Sequence, residues 1–262
     1  MRILFVGDVV AAAGRRALKH GLRALRGSLN PDLIVVNGEN AARGNGLTPS
    51  CCDEIFRAGA EVITSGNHIW DRREVLPVFE REPRLLRPEN YPEPAPGSGV
   101  HLVEHPAAGT VAVINLMGRL FMADVDDPFR IVDEILIELK GRANLILIDF
   151  HAEATSEKIA FGWHVDGRVT AVVGTHTHVA TADERVLPGG TAYITDVGMT
   201  GPYDSVIGVE KAPVLERFRT QRPVRFSPAE GDARLCGVVI DADPESGRAI
   251  SIERVEWREN EA

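Results

Sequence analysis

Five segments of the chain each end a short apolar run on side chains able to hold a metal: Gly7-Asp8, Asn37-Gly38-Glu39-Asn40, Gly66-Asn67-His68, Phe150-His151 and Gly174-Thr175-His176-Thr177-His178. Asp8 and Glu39 supply two carboxylates, Asn40 and Asn67 two amides, and His68, His151, His176 and His178 four imidazoles. Oxygen and imidazole nitrogen without thiolate suit Mn²⁺, Fe or Zn²⁺ and argue against a structural zinc of the cysteine type. Two ions about 3.5–4 Å apart need a bridging carboxylate, and such a pair activates water while neutralising the oxygens of an in-line phosphoryl displacement. Glu39 is the expected bridge. Taken singly, each residue has a blander account: Asp8 as a cap, Asn40 and Asn67 as turn residues, His151 as a hydrogen-bonded core histidine. Only His176-Thr177-His178, read as two imidazoles on one side of an extended segment, has few structural uses.

The elements that must position these groups are the runs 2–6, 33–36, 61–64, 145–148 and 171–173. Each is short, rich in β-branched residues and apolar on both faces, the pattern of strands buried between two layers. Ligands of open α/β sheets gather beyond the carboxyl ends of the strands, so five polar signatures at five such ends converge on one place. That convergence carries the reading.

At this level the chain resembles the calcineurin-like metallophosphoesterases, and within them the YmdB-type bacterial phosphodiesterases. The strings that carry the resemblance are Gly7-Asp8-Val9-Val10 with Gly14-Arg15, Asn37-Gly38-Glu39-Asn40, Gly66-Asn67-His68-Ile69-Trp70-Asp71, Phe150-His151-Ala152-Glu153-Ala154-Thr155-Ser156-Glu157-Lys158, Gly174-Thr175-His176-Thr177-His178-Val179 and Ile194-Thr195-Asp196-Val197-Gly198-Met199-Thr200-Gly201. The resemblance implies a single α/β domain over residues 1–262, a sandwich of two facing mixed β-sheets flanked by α-helices. It also implies two divalent or mixed-valence ions per chain, Fe or Mn before Zn. Asp8, Glu39, Asn40 and His178 would hold one; Glu39, Asn67, His151 and His176 would hold the other, with a bridging hydroxide between. His68 would be left free beside Asn67 to protonate the departing alkoxide. The chain departs from the wider superfamily at Val10, where a histidine is usual, and at Glu39, where aspartate commonly bridges. Asn40 would supply the missing ligand. It departs from the YmdB-type branch at Ala11, where glycine is common.

Composition agrees with a cytoplasmic enzyme of 262 residues able to bury one substantial core. No run approaches a membrane span, and the N-terminus enters a strand without a leader pattern. Three cysteines, Cys51, Cys52 and Cys236, give no disulfide framework. A net charge of −9 argues against an extended nucleic-acid surface and favours a small phosphodiester as partner, since bound cations reverse the field locally. Assembly into a homo-oligomer is left open.

Between the motifs, helices are expected at 15–29, 49–58, 72–82 and 128–139, a proline-rich loop at 87–97, strands at 100–104, 110–116 and 192–195, and a closing hairpin of 236–240 with 249–257. Thr155 or Ser156 with Glu157 resembles a helix-start signal, and Glu153 is placed to bond a metal-held histidine. The loop 195–208, rich in glycine, offers Thr200, Gly201 and Ser205 as substrate contacts. The function expected is hydrolysis of a small cyclic nucleotide, with 2′,3′-cyclic nucleoside monophosphates implied by the resemblance. The rivals are a phosphomonoesterase and a metal-dependent regulatory binder with weak catalysis.

Overall fold

The computed structural model describes residues 1–259. All five runs are strands: β1 (Arg2–Val6), β2 (Leu33–Asn37) and β3 (Val62–Thr64), then, after β4 (Val100–His105) and β5 (Gly109–Met117), β6 (Leu145–His151) and β7 (Ala171–Thr175). The remaining strands are β8 (Arg185–Val186), β9 (Ala192–Ile194), β10 (Gly201–Pro202), β11 (Ala233–Ala242) and β12 (Ala249–Arg258). They form two mixed sheets, ordered β10-β11-β1-β2-β3 with β12 on β11, and β4-β5-β6-β7-β9-β8. Strands β1, β2 and β3 are parallel, as are β5, β6, β7 and β9, so each sheet gathers its carboxyl ends along one edge.

Alternate residues of each strand serve different cores. Ile3, Phe5, Leu33 and Val35 face Val111, Val113, Leu145 and Leu147 between the sheets. Their neighbours Leu4, Val6, Ile34 and Val36 pack outward on α1 (Ala11–Leu29) and α2 (Pro49–Ala58). Phe150 and Ile148 pack outward on α4 (Pro128–Glu138) and α5 (Thr155–His164), with Phe150 stacked on Phe161 at 4.1 Å between ring centroids. Burial on both faces is why these strands read as continuous apolar runs. The fold is therefore the expected sandwich of two facing mixed sheets with helices outside.

Three expectations need correction. The helix expected at 72–82 is a 3-10 turn, Arg73–Val75, followed by the short α3 (Leu76–Phe79). Pro77 lacks an N–H and is tolerated only in the first turn of a helix, so the α-helical part starts at Leu76 and takes the proline into that turn. A further helix, α6 (Lys211–Thr220), was not expected; it buries only Val214, so its apolar stripe is too thin to read. Thr155, Ser156 and Glu157 do not cap α5: its N-cap is Ala154, with no side-chain bond. Trp70 packs against Phe79 and Tyr91. All three cysteines are buried and unpaired, and burial pushes the Cys52 thiol up to about 12. Among the described residues no helix is long and apolar enough to cross a membrane.

Candidate metal centre

The oxygen donors stand at the carboxyl ends of β1 to β3. Asp8 is fully buried just past β1; its Oδ2 accepts the His176 amide at 3.2 Å, while Oδ1 has no hydrogen-bond partner. Asn40 shows the same pattern one strand over. Its Nδ2 donates to the Gly44 carbonyl at 3.0 Å, which turns an unpartnered Oδ1 toward the site. Buried oxygens stripped of water and left without donors are costly unless something positive meets them. Glu39 is held by its own amide, which donates to Asn37 Oδ1 at 3.1 Å.

The nitrogen donors come from the other sheet. His151 Nε2 lies 3.1 Å from Glu39 Oε1, 3.0 Å from Asn67 Oδ1 and 3.1 Å from His176 Nδ1. Those four atoms are the four expected for one ion, and Glu39, His151 and His176 form a cluster of metal-holding geometry. On the far side His151 Nδ1 lies 2.9 Å from Thr175 Oγ1, whose hydroxyl donates to Asp149 Oδ1 at 2.7 Å. With the threonine proton spent on Asp149, its oxygen accepts from Nδ1–H, and the Nε2 lone pair is left for a metal. Similarly, His178 Nδ1 bonds the Ile207 carbonyl at 2.9 Å, leaving Nε2 3.9 Å from Asp8 Oδ1. His176 Nε2 meets Glu153 Oε2 at 2.9 Å, leaving Nδ1 inward. Gly66 makes room: a Cβ there would lie 2.2 Å from His151 and 2.3 Å from Glu39 Oε2.

The histidine pair is not held as an extended segment. His176 and His178 have φ of 97° and 66°, and the turn between them is pinned by buried Asp196, whose Oδ2 accepts Thr177 N at 3.0 Å and Thr177 Oγ1 at 2.8 Å. Lys158, itself buried, bonds the same oxygen at 2.8 Å and the Thr175 carbonyl at 2.7 Å. Ala11 adopts φ 54°, so the first loop keeps a left-handed residue although alanine stands there.

The charges behave as a ligand set in want of cations. Burial pushes the Asp8 carboxyl up despite His178 and His151. Burial works the same way on Glu39, but the His151 imidazole, with His68 and His176, outweighs it and holds the carboxyl at about 2. Burial lowers His151, yet Glu39, Asp8 and Asp149 bring it up to about 9; burial and the nearby His151 bring His176 down to about 3. A proton on His151 stands where a cation would do the same work, and a metal would displace it. The unpartnered oxygens and the donor types therefore fit divalent metal ions.

His68 stands beside this set and outside it. Its amide donates to Glu39 Oε2 at 3.2 Å, its Nδ1 meets Asp71 Oδ2 at 2.9 Å, and the side chain is 39 % exposed toward the cleft. The expected substrate contacts Thr200, Gly201 and Ser205 are otherwise engaged. Thr200 is fully buried with its hydroxyl donating to the Cys236 carbonyl, Gly201 pairs with Arg234 in the sheet, and Ser205 Oγ accepts the Gly208 amide. From this loop it is Ile207 and Gly208, with Val209 just past it, that line the cleft, a volume of about 410 Å³. Sequence reasoning assigned Asp149 and Asp71 no role; Asp149 left a signal, a lone carboxylate inside an apolar strand, and Asp71 stood in the string Gly66-Asn67-His68-Ile69-Trp70-Asp71.

The family of YmdB-like proteins matches residues 4–255. A 2′,3′-cyclic-nucleotide 2′-phosphodiesterase of Bacillus subtilis is 52% identical over 97% of this chain and 96% of its own length. A crystal structure of a novel phosphatase from Mycoplasma pneumoniae is 36% identical, with a TM-score of 0.93 over 98% of this chain and 93% of that one. A calcineurin-like phosphoesterase of Bacillus subtilis shares the fold alone, at 10% identity and a TM-score of 0.58 over 98% of this chain and 90% of that one.

Proposed function

The chain belongs to the YmdB-like family, and on that premise we propose that it is a metal-dependent phosphodiesterase for small cyclic nucleotides, 2′,3′-cyclic nucleoside monophosphates first among them. The observation that carries this reading is the pair of unpartnered oxygens, Asp8 Oδ1 and Asn40 Oδ1, beside the four-donor cluster of Glu39, Asn67, His151 and His176. Asp8, Glu39, Asn40 and His178 would hold one ion; Glu39, Asn67, His151 and His176 the other, as Fe or Mn before Zn. Bound there, the pair supplies an acidified water and positive charge against the phosphoryl oxygens.

The chain's own groups do the rest. His68 Nε2 has no hydrogen-bond partner among the described residues and faces the cleft, and Asp71 at 2.9 Å from Nδ1 fixes the ring. As the P–O2′ bond breaks, O2′ takes the proton from His68, and water adds to phosphorus to leave a nucleoside 3′-phosphate. Asp71 is itself tethered by Asn45 Nδ2 at 2.7 Å, so the acid is positioned rather than loose. A binder would have no use for this dyad, which disfavours the regulatory reading.

The test is turnover of 2′,3′-cyclic AMP, with 3′,5′-cyclic AMP and p-nitrophenyl phosphate as comparators, by protein stripped and reloaded with Mn²⁺, Fe²⁺ or Zn²⁺. Metal-dependent cleavage of the 2′,3′-cyclic ester is expected. His68→Ala should keep its metal content and lose kcat by about 10²–10⁴-fold, the usual contribution of a positioned acid. Unchanged kcat in that variant would remove His68 from the mechanism, and no turnover despite bound metal would sink the enzymatic reading.

A further inference from the structure

Arg43 combines three features at the mouth of the cleft. It is exposed, it is a non-glycine residue at φ 57°, and among the described residues its guanidinium has no hydrogen-bond or ion-pair partner, in a chain of 29 basic and 38 acidic residues. Several exposed arginines are paired, as Arg130 with Glu134 and Arg16 with Glu259; among those that are not, Arg43 is the one that lines the cleft beside His68 and Asn40. Strained backbone carrying an unspent charge persists where the surroundings enforce it.

Here the surroundings do. Gly44 N donates to the Asn40 carbonyl at 3.1 Å, Asn40 Nδ2 returns to the Gly44 carbonyl, and Ala42 N donates to the Gly46 carbonyl at 2.9 Å. Asn45, next along, spends both side-chain atoms on Asp71 and Arg72. Thus Arg43 rides on a turn tied on one side to a metal ligand and on the other to the partner of His68. Opposite it, Phe226, Ser227 and Pro228 are fastened to the 207–210 loop by Ala229 N on the Gly208 carbonyl and Glu210 N on the Ser227 carbonyl, both at 2.9 Å. Val10, Ile207, Phe226 and Pro228 make an apolar wall, and the cleft between it and Arg43 opens directly past His68 and Asn40.

Resting on the phosphodiesterase reading, we infer that this cleft is the nucleoside subsite and that Arg43 is its base-reading residue. The oxygen protonated by His68 belongs to the ribose, so the nucleoside must extend away from the ions on the His68 side, where this cleft lies. Its volume of about 410 Å³ is that of a ligand site. Phe226 and Ile207 cover the ring face, while Arg43 offers only donors. A planar fork of donors matches the adjacent O6 and N7 acceptors of guanine and not the N6 donor of adenine. The subsite therefore favours guanine.

The experiment compares kcat and KM for 2′,3′-cyclic GMP, 2′,3′-cyclic AMP and bis(p-nitrophenyl) phosphate in the metal-loaded wild type, Arg43→Met and Arg43→Lys. Wild type should prefer the guanine ester by about tenfold, the ordinary discrimination of one bidentate contact. Arg43→Met should raise KM for the guanine ester about tenfold with kcat kept, and leave the base-free diester within twofold. Arg43→Lys should restore charge without the fork and regain little of the preference. A guanine preference that survives Arg43→Met, or an equal loss on all three esters, overturns the inference, the latter by placing Arg43 on the phosphate. A wild type that cleaves no diester is instead a failure of the phosphodiesterase reading. In that event calorimetric titration with guanosine 3′-monophosphate still decides about Arg43, equal affinity in wild type and Arg43→Met overturning it.

Discussion

At the scale of single residues, the site is built from side chains with two useful ends, one spent on the protein so that the other faces inward. His176 gives Nε2 to Glu153 and keeps Nδ1; His178 gives Nδ1 to Ile207 and keeps Nε2; Asn40 gives its amide to Gly44 and keeps its oxygen. Glu153 is the partner whose removal is cleanest, because its side chain is 49% exposed and supports nothing else in the core. Glu153→Ala should lower metal affinity about 10–100-fold, as loss of a group orienting a ligand usually does, with the melting temperature of the metal-free protein unmoved. Competition against a chelator measures it, and an unchanged affinity would mean that His176 needs no outside hold. The candidate ligands could be picked out of the sequence because strand ends concentrate function, with Asp8, Glu39 and Asn67 each following a glycine. The orientation was not, because which ring nitrogen points inward depends on groups far away in sequence, such as Ile207 and Glu153.

At the scale of elements, strand positions were legible and turn geometry was not. Buried strands announce themselves as apolar runs, but the turn carrying His176 and His178 takes left-handed backbone at both histidines, which no propensity suggests. Its shape comes from outside, from Asp196 and Lys158, so the extended reading of the sequence failed for want of those partners. That dependence predicts a defect. Lys158 and Asp196 are both buried at 2.8 Å, and Lys158→Met would leave the carboxylate uncompensated in the interior. Breaking a buried pair from one side costs about 3–5 kcal/mol. For a chain of this size the melting temperature should drop on the order of 10 °C. Metal binding should weaken as well, since Thr177 would lose the fixed acceptor that shapes the ligand turn. A calorimetric scan and a metal titration of the same variant check both; a stable variant with intact metal binding would show that the turn holds itself.

At the scale of the whole molecule, the proposed metal ligands lie where the two sheets meet. Asp8, Glu39, Asn40 and Asn67 follow strands of one sheet, while His151, His176 and His178 belong to the ends of β6 and β7 in the other. Beneath them Asp149 fastens the same seam. From β6 it accepts Asn37 Nδ2 at 2.9 Å and Thr64 Oγ1 at 2.5 Å across the gap, and Thr175 Oγ1 from its own sheet. Ions bound by donors from both sheets stabilise only the arrangement in which both are docked, so their binding energy adds to the folding of the whole rather than of either half. At free metal a hundredfold above Kd that addition is about 2.7 kcal/mol per site. Chelation of both ions should therefore lower the melting temperature by roughly 10–20 °C, in one cooperative transition before and after. A melting temperature indifferent to chelation would mean that the ligands are not drawn together by metal. Two separate transitions after chelation would mean that the sheets are independent units joined only at the site, against the single domain that the sequence leads one to expect.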